Sequence, residues 1–271
     1  MSAPGGGSTY HATDGEAYED FLGRWTRRLS GPLLDFAGFR TDGRLLDVGC
    51  GTGSMARAMA ARWPSRDVIG IDIASSYIAF AQSQGAPANL HFEVADAVRL
   101  PYAERSFGGA AAQLALNFVP DPLAALHEMQ RVIVPGGSIV AAVWDFRGGL
   151  VYQRIFWDTA AGIHAGAAVA RDKLFSGALA LPDGLPRLFE SAGLNRLERA
   201  SITIRMDYAS FDDYWKPLCG GQGPVGTYLL GLDPALRAQI EEAVARAYRS
   251  GAPDGPRSLS ATAWAVRGEV T

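Results

Sequence analysis

The chain has 271 residues, 48% hydrophobic and 20% charged, which is enough apolar material for one large domain or a domain with a cap and too much for a disordered or low-complexity chain. Its 25 Lys and Arg against 28 Asp and Glu give a net charge of -3, so no overall positive field draws it to nucleic acid. Two distant cysteines, Cys50 and Cys219, no metal-ligand spacing, no signal-like N-terminus and no apolar run near the ~18 residues of a membrane span together predict a cytoplasmic protein with neither metal nor membrane partner.

Residues 1–14 are polar and Gly-rich and are expected to form a flexible tail. After them Tyr18, Phe21, Leu22, Trp25 and Leu29 recur at intervals of three and four, the period of an amphipathic helix. From Gly43 onward, short apolar runs (RLLDVG, DVIGID, LHFEVAD, GGAAAQLAL, SIVAAVWD) alternate with helical stretches (MARAMAARW, SSYIAFAQSQG, PLAALHEMQRVI). That alternation reads as βαβ units, hence an α/β, doubly wound, mostly parallel sheet with helices on both faces. Asp121-Pro122 supplies an N-cap and a first-turn proline for the last of these helices, and Pro135-Gly136-Gly137 stops it. Residues 146–180 read as aromatic and Ala-rich helix, followed by a short helix ending at the glycine of SAGL. RASITIRM alternates apolar and polar residues as a half-buried strand does, and an antiparallel one is expected. The stretch 209–257, before the last strand-like run SATAWAV, is too long for a plain loop and contains the helical GTYLLGL and LRAQIEEAVARAY. It is expected to be an inserted helical substrate cap, with 15–208 and 258–271 forming the main domain.

Ligands of open parallel sheets bind beyond the carboxyl ends of the strands. LLDVGCGTGS ends the first strand with Asp47 and then places Gly49, Gly51 and Gly53 before a helix. Two cofactor classes use such a loop, dinucleotides and S-adenosylmethionine (SAM). The dinucleotide fingerprint needs a third small residue where Ser54 stands, and a carboxylate at position 47 would repel a pyrophosphate while attracting the ammonium and sulfonium end of a phosphate-free cofactor. The loop therefore favours SAM. Asp72, ending the second strand, is placed to grip a ribose diol; Asp96-Ala97, ending the third, puts a carboxylate where an adenine amino group could donate; Ile73 and Leu114 can pack the purine faces; Gln113 ends the fourth strand beside the methionine end.

The segments LLDVGCGTGS, VIGIDIASSYIAFAQ, VADAVRLPYAERSF, QLALNFVPDPLAALHEMQRVIVPGG and AAVWD, over residues 43–145, resemble the class I SAM-dependent methyltransferases, small-molecule branch, near the ubiquinone and menaquinone biosynthesis type. The resemblance implies a seven-stranded Rossmann-like sheet with a last antiparallel strand, and cofactor contacts at Asp47, Gly49, Gly51, Gly53, Asp72, Ile73, Asp96, Ala97 and Gln113. YEDFLGRWTRR looks like the helix that closes over the cofactor in such enzymes, which would bring Tyr18, Arg24 and Trp25 near the methionine part. Gly108-Gly109 follows Phe107 where the family usually has an Asp, a departure expected to loosen the start of the fourth strand.

The expected activity is methyl transfer to a small-molecule acceptor by in-line displacement, yielding S-adenosylhomocysteine (SAH). The alternatives are a SAM-binding regulatory protein without turnover and an NAD(P)-dependent oxidoreductase. None of the four histidines has a spacing that pairs it with a carboxylate, so no catalytic base is assigned. LALNFVPDP lacks the Pro-Pro-aromatic signature of DNA amino-methyltransferases, and no Pro-Cys nucleophile is present. Trp144, Tyr214 and Trp215 are the expected acceptor-binding residues, since aromatics among glycines suit a planar or apolar ligand. The acceptor atom and the oligomeric state are not encoded in these motifs.

Overall fold

A computed structural model describes residues 15–271, so the expected tail over 1–14 lies outside the described residues. The described chain opens with Gly15–Tyr18 (α1), a π-helical turn Glu19–Gly23 and Arg24–Ala37 (α2), which stops at Gly38 in a left-handed conformation, φ 52°. The βαβ region follows: Leu45–Val48 (β1), Ser54–Arg62 (α3), Val68–Asp72 (β2), Ser75–Ser83 (α4), Leu90–Val94 (β3), Phe107–Gln113 (β4), Pro122–Val132 (α5) and Ile133–Trp144 (β5). The remainder is Val151–Ala161 (α6), Ala165–Phe175 (α7), Gly184–Ser191 (α8), Asn195–Tyr208 (β6), Phe211–Leu218 (α9), Gly223–Leu230 (α10), Pro234–Arg249 (α11) and Arg257–Glu269 (β7).

The strands form one seven-stranded sheet in the order β3-β2-β1-β4-β5-β7-β6. β1 and β4 are buried at every position because helices cover both faces, which is why they read as continuous apolar runs. Successive residues of β1 feed separate cores: Leu45 joins Leu29, Leu33, Met55 and Met59 of α2 and α3, whereas Leu46 joins Leu126 and Met129 of α5 and Phe189 of α8. Asp121 caps α5 as expected, its Oδ1 accepting from the Ala124 amide at 2.9 Å.

RASITIRM lies in β6, which pairs antiparallel with β7 as expected; β7 is antiparallel to β5 as well, so it is the one reversed strand and β6 runs in the same sense as β1–β5. Two details add to the sequence reading. The start of β4 is irregular, with a register shift between Phe107 and Gly109, but it is tightly packed: a Cβ on Gly108 would lie 2.2 Å from the Asp42 carbonyl oxygen, and one on Gly109 would lie 2.5 Å from the Phe39 ring. Glycine at 108 and 109 is thus a close-approach requirement. Finally, the stretch between β6 and β7 is helical, but α11 packs on α6 and α9, so these helices share a core with the main sheet.

Candidate functional site

β1 and β4 are neighbours, and the chain departs from β1 in one direction (β2, β3) and returns on the other side (β4, β5), which opens a crevice at their carboxyl ends. A cavity of about 1060 Å³, open mouth included, occupies it. At the end of β1 the chain turns through Gly49, Gly51 and Gly53 at φ 70°, 54° and 95°. A Cβ on Gly49 would lie 2.4 Å from the Ala115 Cβ, and one on Gly53 would lie 2.6 Å from the Phe92 ring, whereas Gly51 has nothing nearer than Tyr77 at 4.0 Å. Gly49 and Gly53 pack the loop down; Gly51 leaves room for a ligand at the backbone, and it lines the cavity with Gly49.

Asp72, at the end of β2, accepts from the Gly51 amide through Oδ2 and from the Ala74 amide through Oδ1, both at 2.9 Å. Burial raises its carboxyl above the ordinary range, and the amides of Ala74, Gly51 and Ile73 pull it partly back. The carboxylate expected to hold a ribose therefore also fastens the glycine loop, and its oxygens keep lone pairs for a diol. Ile73 lies beside it, 38% exposed where a purine needs an apolar face. Asp96 and Ala97 after β3, with Gln113 and Leu114 at the end of β4, complete this part of the lining. Leu114 takes φ 62°, an uncommon conformation for a non-glycine residue and one that recurs at ligand sites.

Behind the loop a side pocket of about 260 Å³ is walled by Asp47, Gln113, Tyr18, Thr26 and Thr52. Asp47 is fully buried, and neither carboxylate oxygen has a hydrogen-bond partner among the described residues; the Gln113 Oε1 is likewise buried without one. Burial pushes the Asp47 carboxyl up to about 7, offset in part by the Ala56 amide, which does not meet hydrogen-bond geometry, and reinforced by the Asp72 charge. Buried acceptors lacking donors cost free energy unless a ligand supplies them. Three such oxygens around one pocket suit an ammonium group with several N–H donors, and so the residues present fit the methionine end of SAM. The Cys50 thiol beside them is buried and pushed well up, so it is a poor nucleophile.

The N-terminal segment covers this end. Tyr18, Phe21 and Leu22 line the main cavity. Glu19 accepts from the Thr52 hydroxyl, the Thr26 and Ser54 hydroxyls lie 2.9 Å apart, and the Gln113 Nε2 donates to the Thr26 carbonyl at 3.1 Å. Sequence reasoning does not single out Glu19, Thr26 or Thr52; the available signals are polar residues within the N-terminal amphipathic segment for Glu19 and Thr26, and a hydroxyl between two glycines of the loop for Thr52.

Five expected site residues stand off the cavity: Gly53, which packs the loop against Phe92, and four others. Arg24 pairs with Asp213 at 3.0 Å and lies 4.3 Å from the Trp25 ring centroid, while Trp25, 1% exposed, packs on Tyr208. These contacts tie α2 to β6 and α9 and point away from the methionine end. Tyr214 donates its hydroxyl to the Tyr152 carbonyl at 2.8 Å, and Trp215 stacks on Phe211 against Phe156. Both rings are core, because α9 turns its apolar face toward α11 and the sheet. The part of 209–257 that reaches the cavity is the start of α10, through Gly223 and Pro224. Trp144 does line it, joined by Phe146, Phe118, Val119, Tyr152 and Gln153.

The family model described as a methyltransferase domain matches residues 46–141. Methyltransferase GfsG of Streptomyces halstedii is 32% identical over 59% of this chain and 55% of its own length, and the demethylmenaquinone methyltransferase of Thermus thermophilus is 33% identical over 49% and 61%. The chain thus spans little more than half the length of these relatives. In fold it is similar to YcgJ of Bacillus subtilis (TM-score 0.52, 18% identity, 89% of this chain and 97% of that one). It is also similar to phosphoethanolamine N-methyltransferase 2 of Haemonchus contortus in complex with SAM (TM-score 0.57, 14% identity, 95% and 57%). The glycine loop, the carboxylates at successive strand ends and the reversed last strand agree with these likenesses: residues 46–141 match a methyltransferase domain, set in a fold that the chain shares with a SAM-binding methyltransferase.

Proposed function

We propose that the protein transfers a methyl group from SAM to a small-molecule acceptor by in-line displacement, leaving SAH. The observation that carries this reading is one continuous cavity that runs from Asp72 and Asp96 at the ends of β2 and β3, past Gln113, to an apolar wall beyond β4 and β5. In this reading Asp72 and Asp96 would hold the adenosine, and Asp47 and Gln113 the ammonium. When bound, SAM supplies a methyl group already activated on a positive sulfur. The residues beyond Gln113 then have to hold a nucleophile in line and keep water out, which is where most of the acceleration of such a step comes from. The small-acceptor reading is supported by the enclosed apolar wall, by the net charge of -3, which disfavours nucleic acid, and by a relative that is named for demethylmenaquinone. Two distant cysteines and no metal-type cluster support a cytoplasmic setting and metal-independent transfer. Among the described residues no helix is long and apolar enough to cross a membrane.

The test is SAH formation from SAM over a panel of small acceptors, set beside SAH binding by calorimetry. Turnover with any member supports the reading; SAH binding without turnover across a broad panel favours a non-catalytic SAM-binding protein.

A further inference from the structure

The far end of the cavity differs chemically from the cofactor end. Sheet order puts β2 and β3 on one side of β1 and β4 and β5 on the other, so Asp72 and Asp96 stand at one end and the residues following β4 and β5 at the other. There the wall is Phe118, Val119, Trp144 and Phe146, with Phe21 from the N-terminal segment 6.3 Å from the Tyr152 ring. Among the described residues it contains no Asp, Glu, Lys, Arg or His. A phosphate, carboxylate or ammonium buried there would find no counter-charge, and burying an unpaired charge is far costlier than burying a neutral group.

Two unmet polar groups interrupt the wall: the Trp144 indole Nε1, a buried donor with no partner among the described residues, and the Gln153 amide, which unlike the indole can turn over to offer either a donor or an acceptor. Gln153, on the first turn of α6, is 3% exposed; its Nε2 donates to the Tyr152 hydroxyl at 3.0 Å, and its Oε1 has no partner among the described residues. The backbone under it is held firmly, with the Gln153 amide donating to the Leu150 carbonyl at 3.1 Å and the Tyr214 hydroxyl donating to the Tyr152 carbonyl at 2.8 Å. A buried amide with an unmet end is expensive, and a ligand group is the usual resolution. Turning the amide over would leave its NH2 unmet in place of its oxygen. A hydroxyl, donor and acceptor in one group, satisfies either orientation.

We propose, building on the methyltransferase reading above, that the acceptor is an uncharged, largely apolar hydroxyl compound whose hydroxyl is oriented by Gln153. In the transfer the hydroxyl oxygen forms the bond to the methyl carbon, the carbon–sulfur bond breaks with its electron pair staying on sulfur, and the hydroxyl proton leaves to water. Gln153, a neutral amide, holds and aims the hydroxyl and takes no proton.

The test uses the full chain saturated with SAH and three matched probes, 2-naphthol, naphthalene and 2-naphthoate, with dissociation constants from equilibrium dialysis at neutral pH. The expected order is 2-naphthol tightest, with naphthalene and 2-naphthoate each weaker by about tenfold or more, the ratio that one buried hydrogen bond or one unpaired charge commands. In Gln153→Leu the advantage of naphthol over naphthalene should vanish while SAH affinity stays unchanged. Naphthoate binding as tightly as naphthol overturns the proposal, as does an unchanged naphthol-to-naphthalene ratio in Gln153→Leu. Should that variant not fold, the wild-type order decides alone. Failure of SAH itself to bind brings down the methyltransferase reading, an outcome distinct from loss of the naphthol preference with SAH in place.

Discussion

Replacing Asp47 by Asn tests the electrostatics of the cofactor end. In the cofactor-free protein burial lifts the Asp47 carboxyl from 3.8 to about 7. Between those values the native chain keeps a proton that the unfolded chain has released, so the stability owed to this group is full below the lower value and is lost as pH rises through the upper one. A shift of about three units at about 1.36 kcal/mol each is worth on the order of 4 kcal/mol. Asn has no proton to lose. The stability of Asp47→Asn relative to wild type should therefore rise by about that amount between about pH 4 and about pH 8, read from urea unfolding without cofactor. Asp72, whose carboxyl is also raised by burial, acts with the same sign in both proteins and largely cancels in the difference. Binding has the opposite slope, because an ammonium in the side pocket favours the ionised carboxylate: wild-type SAH affinity should climb as pH passes about 7, and Asp47→Asn should bind SAH about tenfold or more weakly at about pH 8 with little pH dependence across that range. Parallel stability profiles for the two proteins, or equal SAH affinity at about pH 8, refute the reasoning.

Other outcomes follow from the same geometry. Asp72→Ala removes both the ribose acceptor and the clamp on Gly51; hydrogen bonds to a charged group are worth roughly 1.5–3 kcal/mol, so SAH affinity by calorimetry should fall at least about tenfold in a folded variant, and an unchanged affinity contradicts the assignment. Trp215→Ala should cost about 3–5 kcal/mol in chemical unfolding, as truncating a buried Trp does, with SAH affinity of the folded fraction intact; a stable variant with an acceptor defect would return Trp215 to the binding wall. Methyl transfer to an accepted substrate should continue in EDTA, and activity abolished by the chelator and restored by magnesium would place a metal in the reaction.

The sheet and the cofactor end were legible in the sequence because their signals are local. Asp47 and the glycines after it, Asp72 and Asp96 stand at the carboxyl ends of β1, β2 and β3, so strand periodicity alone puts them at one edge of the sheet, where Gly49, Gly51, Asp72 and Asp96 line the main cavity and Asp47 the side pocket. Asp72's second task, fastening Gly51, needed the three-dimensional loop, since the two residues are distant in sequence. The apolar end of the cavity is mostly illegible in the sequence: Phe21 shows helical periodicity but not what it faces, and Phe118, Phe146 and Gln153 come from separate segments with no pattern of their own. Trp215 was misplaced because an amphipathic helix shows the same spacing whether its apolar face meets a core or a ligand, and here Phe211, Phe156 and Tyr248 fill that face. Arg24 and Trp25 face elsewhere for a related reason. They sit one turn beyond Phe21 and about two beyond Tyr18, and a π-helical turn at Glu19–Gly23 shifts the face that follows, sending them toward Tyr208 and Asp213.

The central claim, that this cavity is built for a phosphate-free adenosyl cofactor, is tested most directly by paired calorimetric titrations of the full chain with SAH and with NADH. The acceptor-only carboxylate at position 47 and the spacing of the glycine loop predict saturable binding of one SAH per chain and no detectable heat from NADH. Saturable NADH binding with none for SAH would contradict the account at its base.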